Sequence, residues 1–295
     1  MDTLSNYKAG FVNILGKPNV GKSTLMNALL GERLSIMTPK AQTTRHRIFG
    51  ILNAPEYQIV FSDTPGIIQP HYGMQKSMMH FVKETFEDAD VFLYVAEIGD
   101  SPEKQPDEFA KMLLTGVPTM IVLNKTDKLK NEVVLGEVVK WQAIAPEATI
   151  LPASAKEKIN LDVLLDFLIQ HMPVCPPYFD KDALTDKSER FFVTEIIREK
   201  ILMLYKEEIP YSCEVGINSF KDEPEIARIS AEIYVNRKSQ KPIIIGKGGE
   251  MIKKLGIESR LHIEEFLQKK VYLELHVKVL ENWRDNEKVL KQLGY

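Results

Sequence analysis

From residue 10 to about 170, short apolar runs alternate with longer stretches of helical period. The runs "GFVNIL", "YQIVFS", "VFLYVAEI", "PTMIVLN" and "ATILPAS" are β-rich, as expected of strands covered on both faces. The stretches 22–31, 76–89, 105–115, 131–144 and 160–170 carry the helical pattern between them. This alternation predicts an α/β fold with a mostly parallel, doubly wound sheet. One pair departs from it. "RHRIFGILN" (45–53) and "YQIVFSD" (57–63) are joined only by "APE". That is too short for a crossover helix, so the pair is expected to form an antiparallel hairpin at the sheet edge.

The pattern breaks at "HMPVCPPYFDKDALTDKSE" (171–189), where prolines and charges crowd together, and a linker is expected there. A helix is then expected over 190–208, strands over 212–220 and 225–236, and the turn "GKGG". Helices follow over 249–255 and 259–269, then a strand over 271–281 and a last helix over 285–293. The order α-β-β-α-α-β is α+β and unlike the first half. The expected division is 1–172, a linker at 173–189, and a second domain at 190–295. A length of 295 residues suits two domains, since single cores stop growing near ~250–300 residues.

Composition adds little to this division. The net charge of −3 neither invites nor excludes a polyanionic partner. The two cysteines, Cys175 and Cys213, are far apart and outside any paired motif, which suits a reducing compartment. The leading "MDTLSNYKAGFVNILG" lacks a basic region and has its apolar run broken by Asn13, unlike a secretion signal. No apolar run nears the ~18 residues of a membrane span. A cytoplasmic monomer is expected, with peripheral contact at the inner face of the cell membrane left open.

The chemistry lies at the strand ends. "GKPNVGKST" (Gly16 to Thr24) fits G-x-x-x-x-G-K-[ST] between a predicted strand and a predicted helix, the context a phosphate loop requires. Gly16, Asn19, Val20, Gly21 and Thr24 would wrap a phosphate chain with inward-pointing amides at a helix N-terminus. Lys22 would reach the β- and γ-phosphates, and Ser23 would ligate Mg²⁺. "DTPG" ends the next strand. Asp63 there can hold Mg²⁺ through water, and Gly66 can offer its amide to a γ-phosphate. "NKTD" follows "PTMIVL". Asp127 presents two acceptors to the N1–H and N2–H₂ donors of guanine, which adenine lacks. Lys125 would lie along the base and Asn124 would brace the loop. In "SAK", Ser154, Ala155 and Lys156 place a backbone amide within reach of the guanine O6. Four such motifs at the carboxyl ends of parallel strands mark a nucleotide site, with GTP or GDP as its ligand.

"RLSIMTPKAQTTRHR" (33–47) has neither helical nor strand period, as a switch loop would. Thr43 or Thr44 should give Mg²⁺ a second hydroxyl, with Thr44 preferred; Lys22, Thr44 and Gly66 would then serve the reaction itself. Lys40, Arg45 and Arg47 read equally well as functional groups and as a solvated loop. Ile67 and Ile68 follow Gly66. Neither can orient an attacking water, so intrinsic hydrolysis should be slow. Asn19 is open between ligating K⁺ beside the phosphates and merely forming the turn after Pro18.

"GKPNVGKST", "KAQTTRHRIFGI", "DTPGI" and "NKTD", joined to "TDKSERFFVTEIIREKI" and "IIIGKGGEMIKKLG", resemble the Era family of translation-factor-class GTPases over nearly the whole chain. The resemblance implies a GTPase domain followed by a type II KH RNA-binding domain. It further implies binding near the 3′ end of small-subunit (16S) ribosomal RNA and a role in assembling the 30S subunit. The residues of the second half agree. Gly246, Lys247, Gly248 and Gly249 match the GxxG loop that clamps about four single-stranded nucleotides. Arg237, Lys238, Lys253 and Lys254 make its flanks basic, and Ile244 and Ile245 are counted with the RNA contacts as core or groove floor, without a hydrogen-bonding role. Over 181–295, 21 basic residues stand against 20 acidic ones, so clustering carries the electrostatic argument, not net charge. The alternative is a constitutive RNA-binding module whose nucleotide domain is mainly structural.

Overall fold

The computed structural model describes residues 6–295; the reading of the leading segment falls partly on residues 1–5, outside the described residues. Contacts divide the chain into two compact units. The first runs to Met37 and adds Thr44–Pro70 and Ser77–Asp186. The second comprises Thr38–Thr43, His71–Lys76 and Lys187–Tyr295. Among the described residues no helix is long and apolar enough to cross a membrane.

In the first unit the elements follow as β1 (Lys8–Leu15), α1 (Lys22–Leu30), β2 (Ile48–Asn53), β3 (Tyr57–Asp63), α2 (Gly73–Glu84), β4 (Val91–Glu97), α3 (Asp107–Leu113), β5 (Thr119–Asn124), α4 (Asn131–Ile144), β6 (Thr149–Pro152) and α5 (Leu161–His171). Helix α2, whose first turn lies in the second unit, starts three residues before the expected stretch and stops five residues short of its end. The six strands lie in the order β2-β3-β1-β4-β5-β6. All neighbours are parallel except β2 and β3, which form the expected edge hairpin. The inner strands are apolar on both faces because helices cover both: Val12, Ile14, Ile59, Phe61, Leu93, Val95, Ile121 and Val122 are fully buried. The parallel arrangement sends the ends of β1, β3, β5 and β6 to one rim, where the four motifs meet.

Residues 173–186, expected to be part of the linker, are not a separate tether. They run back along the sheet. Ala9 N–H donates to the Pro173 carbonyl at 3.1 Å, Cys175 N–H to the Tyr7 carbonyl at 3.0 Å, and Ile51 N–H to the Leu184 carbonyl at 2.9 Å. The buried Gln58 side chain accepts from the amides of Tyr178 and Phe179 and donates to the Phe179 carbonyl. Tyr178 stacks at 4.9 Å on Phe11. A buried glutamine in an apolar strand was the sequence sign of this strap, because its amide must find partners.

The second unit contains α6 (Glu189–Leu204), α7 (Ile209–Ser212), β7 (Cys213–Asp222), β8 (Ile226–Val235), α8 (Gln240–Ile245), α9 (Glu250–Leu267), β9 (Lys270–Val279) and α10 (Glu287–Gln292). Its sheet has the order β7-β8-β9, antiparallel then parallel. The order α-β-β-α-α-β holds, but its two middle helices fall elsewhere than expected. The first precedes "GKGG" instead of following it. "QKPIII" looks like a strand end from its isoleucines, yet Pro242 sits in a first helical turn, where its missing N–H costs nothing. The second is one helix, with no break between 255 and 259. Gly256 stays helical, at a cost of about 1 kcal/mol relative to alanine. Ile197, Ile201, Ile229, Ile233, Ile244, Leu255 and Ile263 form the core of the unit.

The two tryptophans fall one in each unit, Trp141 and Trp283, both fully buried. Ile233→Ala removes a fully buried side chain from the central strand β8. It should destabilise the second unit by about 2–5 kcal/mol. Urea unfolding followed by Trp283 fluorescence in a Trp141→Phe background checks this, and an unchanged midpoint would contradict the packing described.

Candidate functional site

The phosphate loop joins β1 to α1. Gly21 caps α1 with φ 102°, and a Cβ there would lie 2.2 Å from Asn124 Nδ2. Lys22 is buried, and its ammonium donates to the carbonyls of Gly16 at 3.2 Å and Lys17 at 2.9 Å. Burial pushes the ammonium down to about 8, against a smaller upward pull from Asp63. Ser23 Oγ donates to Asp63 Oδ2 at 2.6 Å and lies 2.9 Å from Thr44 Oγ1, which is itself 3.5 Å from Asp63 Oδ2. Thr43 instead turns to Thr38 and the Lys40 carbonyl. Of the two threonines left open, only Thr44 joins this cluster.

Asp63 is fully buried, and its Oδ1 has no hydrogen-bond partner. Burial raises its pKa, opposed by the Ser23 hydroxyl and the Lys22 charge. Two hydroxyls around a buried carboxylate with a spare oxygen are a hard-oxygen donor set, which fits Mg²⁺. Gly66 presses on the phosphate loop so closely that a Cβ would stand 2.6 Å from Pro18 N. Ile67 N–H donates to the Gly16 carbonyl at 3.0 Å. The Ile67 side chain is buried, in keeping with the absence of a water-orienting group at that position.

The base side is built around Asn124, which is buried at the end of β5. Its Nδ2 donates to the Val20 carbonyl at 2.8 Å, and its Oδ1 accepts from the Ala155 amide at 2.9 Å. Lys125, at φ 69°, donates to the Asn19 carbonyl at 2.7 Å and to Glu97 at 2.6 Å. Glu97, at the end of β4, also pairs with Lys128 at 2.7 Å. Burial would raise the Glu97 carboxyl, but the two ammonium groups outweigh it and hold it below the usual range. Nothing in the sequence patterns singled out Glu97; only the strand register brings it beside Lys125, Glu97 pairing with Asn124. Asp127 accepts from Ser154 Oγ at 2.6 Å, which lowers its pKa. Its carboxylate is exposed, so shielding has to come with the base. Val20 is buried, Thr24 half-buried and the Asn19 side chain exposed, with Lys156 paired to Glu157 at 2.8 Å.

None of the three basic loop residues is merely solvated. Arg45 is fully buried. Arg47 binds Asp88 at 2.7 Å. Lys40, within the second unit, donates to the Tyr205 carbonyl.

In the second unit "GKGG" links α8 to α9. Gly246, Gly248 and Gly249 all have positive φ. A Cβ on Gly246 would stand 2.7 Å from Met251, whereas Gly248 faces open space. Arg237, Lys238, Lys247, Lys253 and Lys254 are exposed around the loop. Ile244 is a correction: it is fully buried, so its side chain cannot touch a nucleic acid. Its carbonyl accepts from Tyr205 Oη at 2.7 Å, holding the loop from below. Ile245 packs partly against the same core. Beside the loop lies a cleft of about 350 Å³ between α9 and β9, lined by Ile252, Lys253, Gly256, Ile257, Arg260, Leu273 and Leu275. Sequence reasoning took only Lys253 from this set. The half-exposed Ile257, an apolar residue on an outward helix face, was the signal available.

Two family models match the chain. One described as "50S ribosome-binding GTPase" covers residues 11–125, and one described as "KH domain" covers residues 208–284. The chain is 45% identical to "GTPase ERA1, chloroplastic" of Zea mays, over 99% of this chain and 71% of that protein. It is 42% identical to "GTPase Era" of Geotalea uraniireducens, over 99% of each. A crystal structure of Era with MgGDPNP and nucleotides 1506–1542 of 16S ribosomal RNA superposes with a TM-score of 0.94 at 40% identity, covering 98% of this chain and 99% of that one. A point variant of Aquifex aeolicus Era bound to GDP·AlF₄⁻ gives a TM-score of 0.93 at 40% identity, with the same coverage.

Asn124→Ala would leave the Val20 carbonyl and the Ala155 amide without their partner. Each such loss costs about 1–3 kcal/mol in a buried setting. Thermal unfolding of the nucleotide-free protein, read by Trp141, should shift downward accordingly. A variant as stable as the parent would mean that water replaces the bridge.

Proposed function

The chain belongs to the Era family of GTPases, and from that premise we propose a GTP-hydrolysing switch whose second unit binds the 3′ region of small-subunit ribosomal RNA and assists 30S assembly. The observation that carries the reading is the meeting of Lys22, Ser23, Thr44 and Asp63 at one rim of the sheet. A structural relic has no need of a buried carboxylate with a spare oxygen beside a buried ammonium. Residues 1–172 are assigned to the GTPase domain and 190–295 to RNA binding. The cytoplasm, where small subunits assemble, is its place of work.

Each residue then has a task. Lys22 sets its charge against the β- and γ-phosphates. Ser23 and Thr44 are placed to hold Mg²⁺ directly, and Asp63 through water. Bound Mg²⁺ supplies charge neutralisation on the transferred phosphoryl group. The Gly66 amide faces the γ-phosphate. Asp127 reads the guanine edge, with Lys125 along the base and Asn124 bracing both loops. The exposed Asn19 side chain is the group that would meet K⁺. With Ile67 buried, no side chain at that position orients the water, and turnover is slow. In the second unit the GxxG loop receives the RNA backbone, and the apolar cleft beside it receives bases.

Three outcomes test this reading. Asp127→Asn places a donor opposite the guanine N2–H₂. It should weaken GTP binding at least tenfold and admit xanthosine triphosphate; equal binding of GTP and ATP by the parent would refute the base assignment. Lys22 gives a pH test. The free protein loses its proton as pH rises through about 8, while the phosphate-bound form needs the cation. Affinity for GDP should therefore be level below pH 8 and fall above it, by at most about tenfold per pH unit. Calorimetry at pH 7 and 9 measures this, and Lys22→Met should lack the dependence. Gly248→Asp adds a negative charge in open space, at a φ that aspartate tolerates. It should abolish binding of a single-stranded RNA matching the 3′ end of 16S ribosomal RNA while the Trp283 unfolding midpoint stays put. Retained affinity in fluorescence anisotropy would remove the RNA site from this loop.

A further inference from the structure

Arg47 lies three residues beyond Thr44, just before β2. Its Nε donates to Ser62 Oγ at 2.7 Å, and its Nη2 donates to Asn13 Oδ1 at 3.1 Å. The same Nη2 donates to both oxygens of Asp88, at 2.9 and 2.7 Å. The guanidinium lies 4.8 Å over the Phe49 ring, and only 12% of the side chain is exposed. Asn13 Nδ2 completes the cluster by donating to the Thr85 carbonyl at 2.7 Å and to Asp88 Oδ1 at 2.8 Å.

The three partners come from three places, and Arg47 itself from a fourth. Ser62 immediately precedes Asp63 on β3. Asn13 sits on β1, in register with Ser62 and three residues before Gly16. Asp88 follows α2, the helix that leads away from "DTPG". Arg47 itself closes the loop that carries Thr44, one residue before Ile48 pairs with Asp63. One planar fork therefore fixes the loop end bearing Thr44, the strand bearing Asp63 and the strand leading into the phosphate loop. A lysine could not satisfy these directions at once.

We propose that Arg47, anchored by Asp88 and Asn13, is a positioning residue that sets Thr44 and Asp63 at the spacing Mg²⁺ requires beside the γ-phosphate. The inference rests on the GTPase reading above. Its reach is confined to one side of the nucleotide, because Arg47 bonds to none of Lys22, Asn124, Asp127 and Ser154. GDP held without metal should not sense its loss.

The test uses the full chain and a fluorescent, non-hydrolysable GTP analogue whose dissociation rate is followed across Mg²⁺ concentrations. Arg47→Gln should raise the Mg²⁺ concentration at half-effect at least fivefold, while GDP affinity in EDTA stays within twofold of the parent. Arg47→Lys should fall between, keeping the charge on Asp88 but losing the fork. Asp88→Asn, at a more exposed position, should shift the midpoint two- to threefold. The double variant should shift it no further than Arg47→Gln alone, since both act through one network. A parental Mg²⁺ midpoint in Arg47→Gln would overturn the proposal. So would a matching loss of GDP affinity in EDTA, which would make Arg47 a support of the fold only. A parent whose analogue binding ignores Mg²⁺ would instead strike the GTPase reading itself.

Discussion

One buried amide side chain holds the nucleotide rim together. Asn124 donates to the phosphate loop at Val20 and accepts from the Ala155 amide, so loops following β1, β5 and β6 share a single bridge. The contact is possible because Gly21 lacks a Cβ where Asn124 Nδ2 stands. Lys125 adds a second tie from the same turn, through the Asn19 carbonyl and Glu97. Phosphate and base positions are thus fixed relative to one another by protein alone. Such preorganisation spares a ligand the ordering cost that would otherwise reduce its affinity.

The side that would face a γ-phosphate is built on the opposite plan. Its charged groups are held in a state that burial disfavours: the Lys22 ammonium is pushed down and the Asp63 carboxyl up. Each partly offsets the other, but Asp63 Oδ1 stays without a partner. Burying such groups costs energy unless they are paired, and a polyphosphate with a divalent cation provides the pairing. Rigid recognition and an incomplete electrostatic cluster therefore sit side by side. Such an arrangement would serve a switch: the base side is set by protein contacts alone, while the other end would respond to the number of phosphates.

Much of this was legible in the sequence, for physical reasons. Strands covered on both faces must be apolar throughout, so the parallel sheet announced itself, and the motifs at its ends needed specific residue types. What escaped depended on partners distant in sequence. The strap at 173–186 hid because crowded prolines and charges mark a linker without saying what it packs on, and only the buried Gln58 hinted at backbone to be satisfied. Helix α8 hid because "PIII" has strand-like residues, although Pro242 suits a first turn. The break expected between 255 and 259 is absent, since Gly256 stays helical within α9. Ile244 was grouped with the RNA contacts because it adjoins "GKGG", yet its burial beneath the loop follows from the helix that precedes it. Arg47 was left open because its three hydrogen-bonding anchors, Asn13, Ser62 and Asp88, lie far apart along the chain.

The charge balance of the second unit bears on how RNA would be chosen. Affinity for any polyanion grows with the number of phosphates neutralised, and the exposed cations that could do so, Arg237, Lys238, Lys247, Lys253 and Lys254, are clustered around the GxxG loop. Lys238 and Lys254 are also shared with Glu281 and Glu258, at 3.6 and 3.9 Å. Both pairs are exposed and long, so they hold these ammonium groups only weakly; the apolar cleft lies beside the same loop. Ile252, Ile257, Leu273 and Leu275 give that cleft an apolar floor, with Lys253 and Arg260 at its wall. Bases have to leave their stacks to reach it, which a duplex resists and an unpaired strand does not. A cleft of this kind would favour an unpaired strand over a duplex, with the basic cluster around the GxxG loop as its electrostatic counterpart.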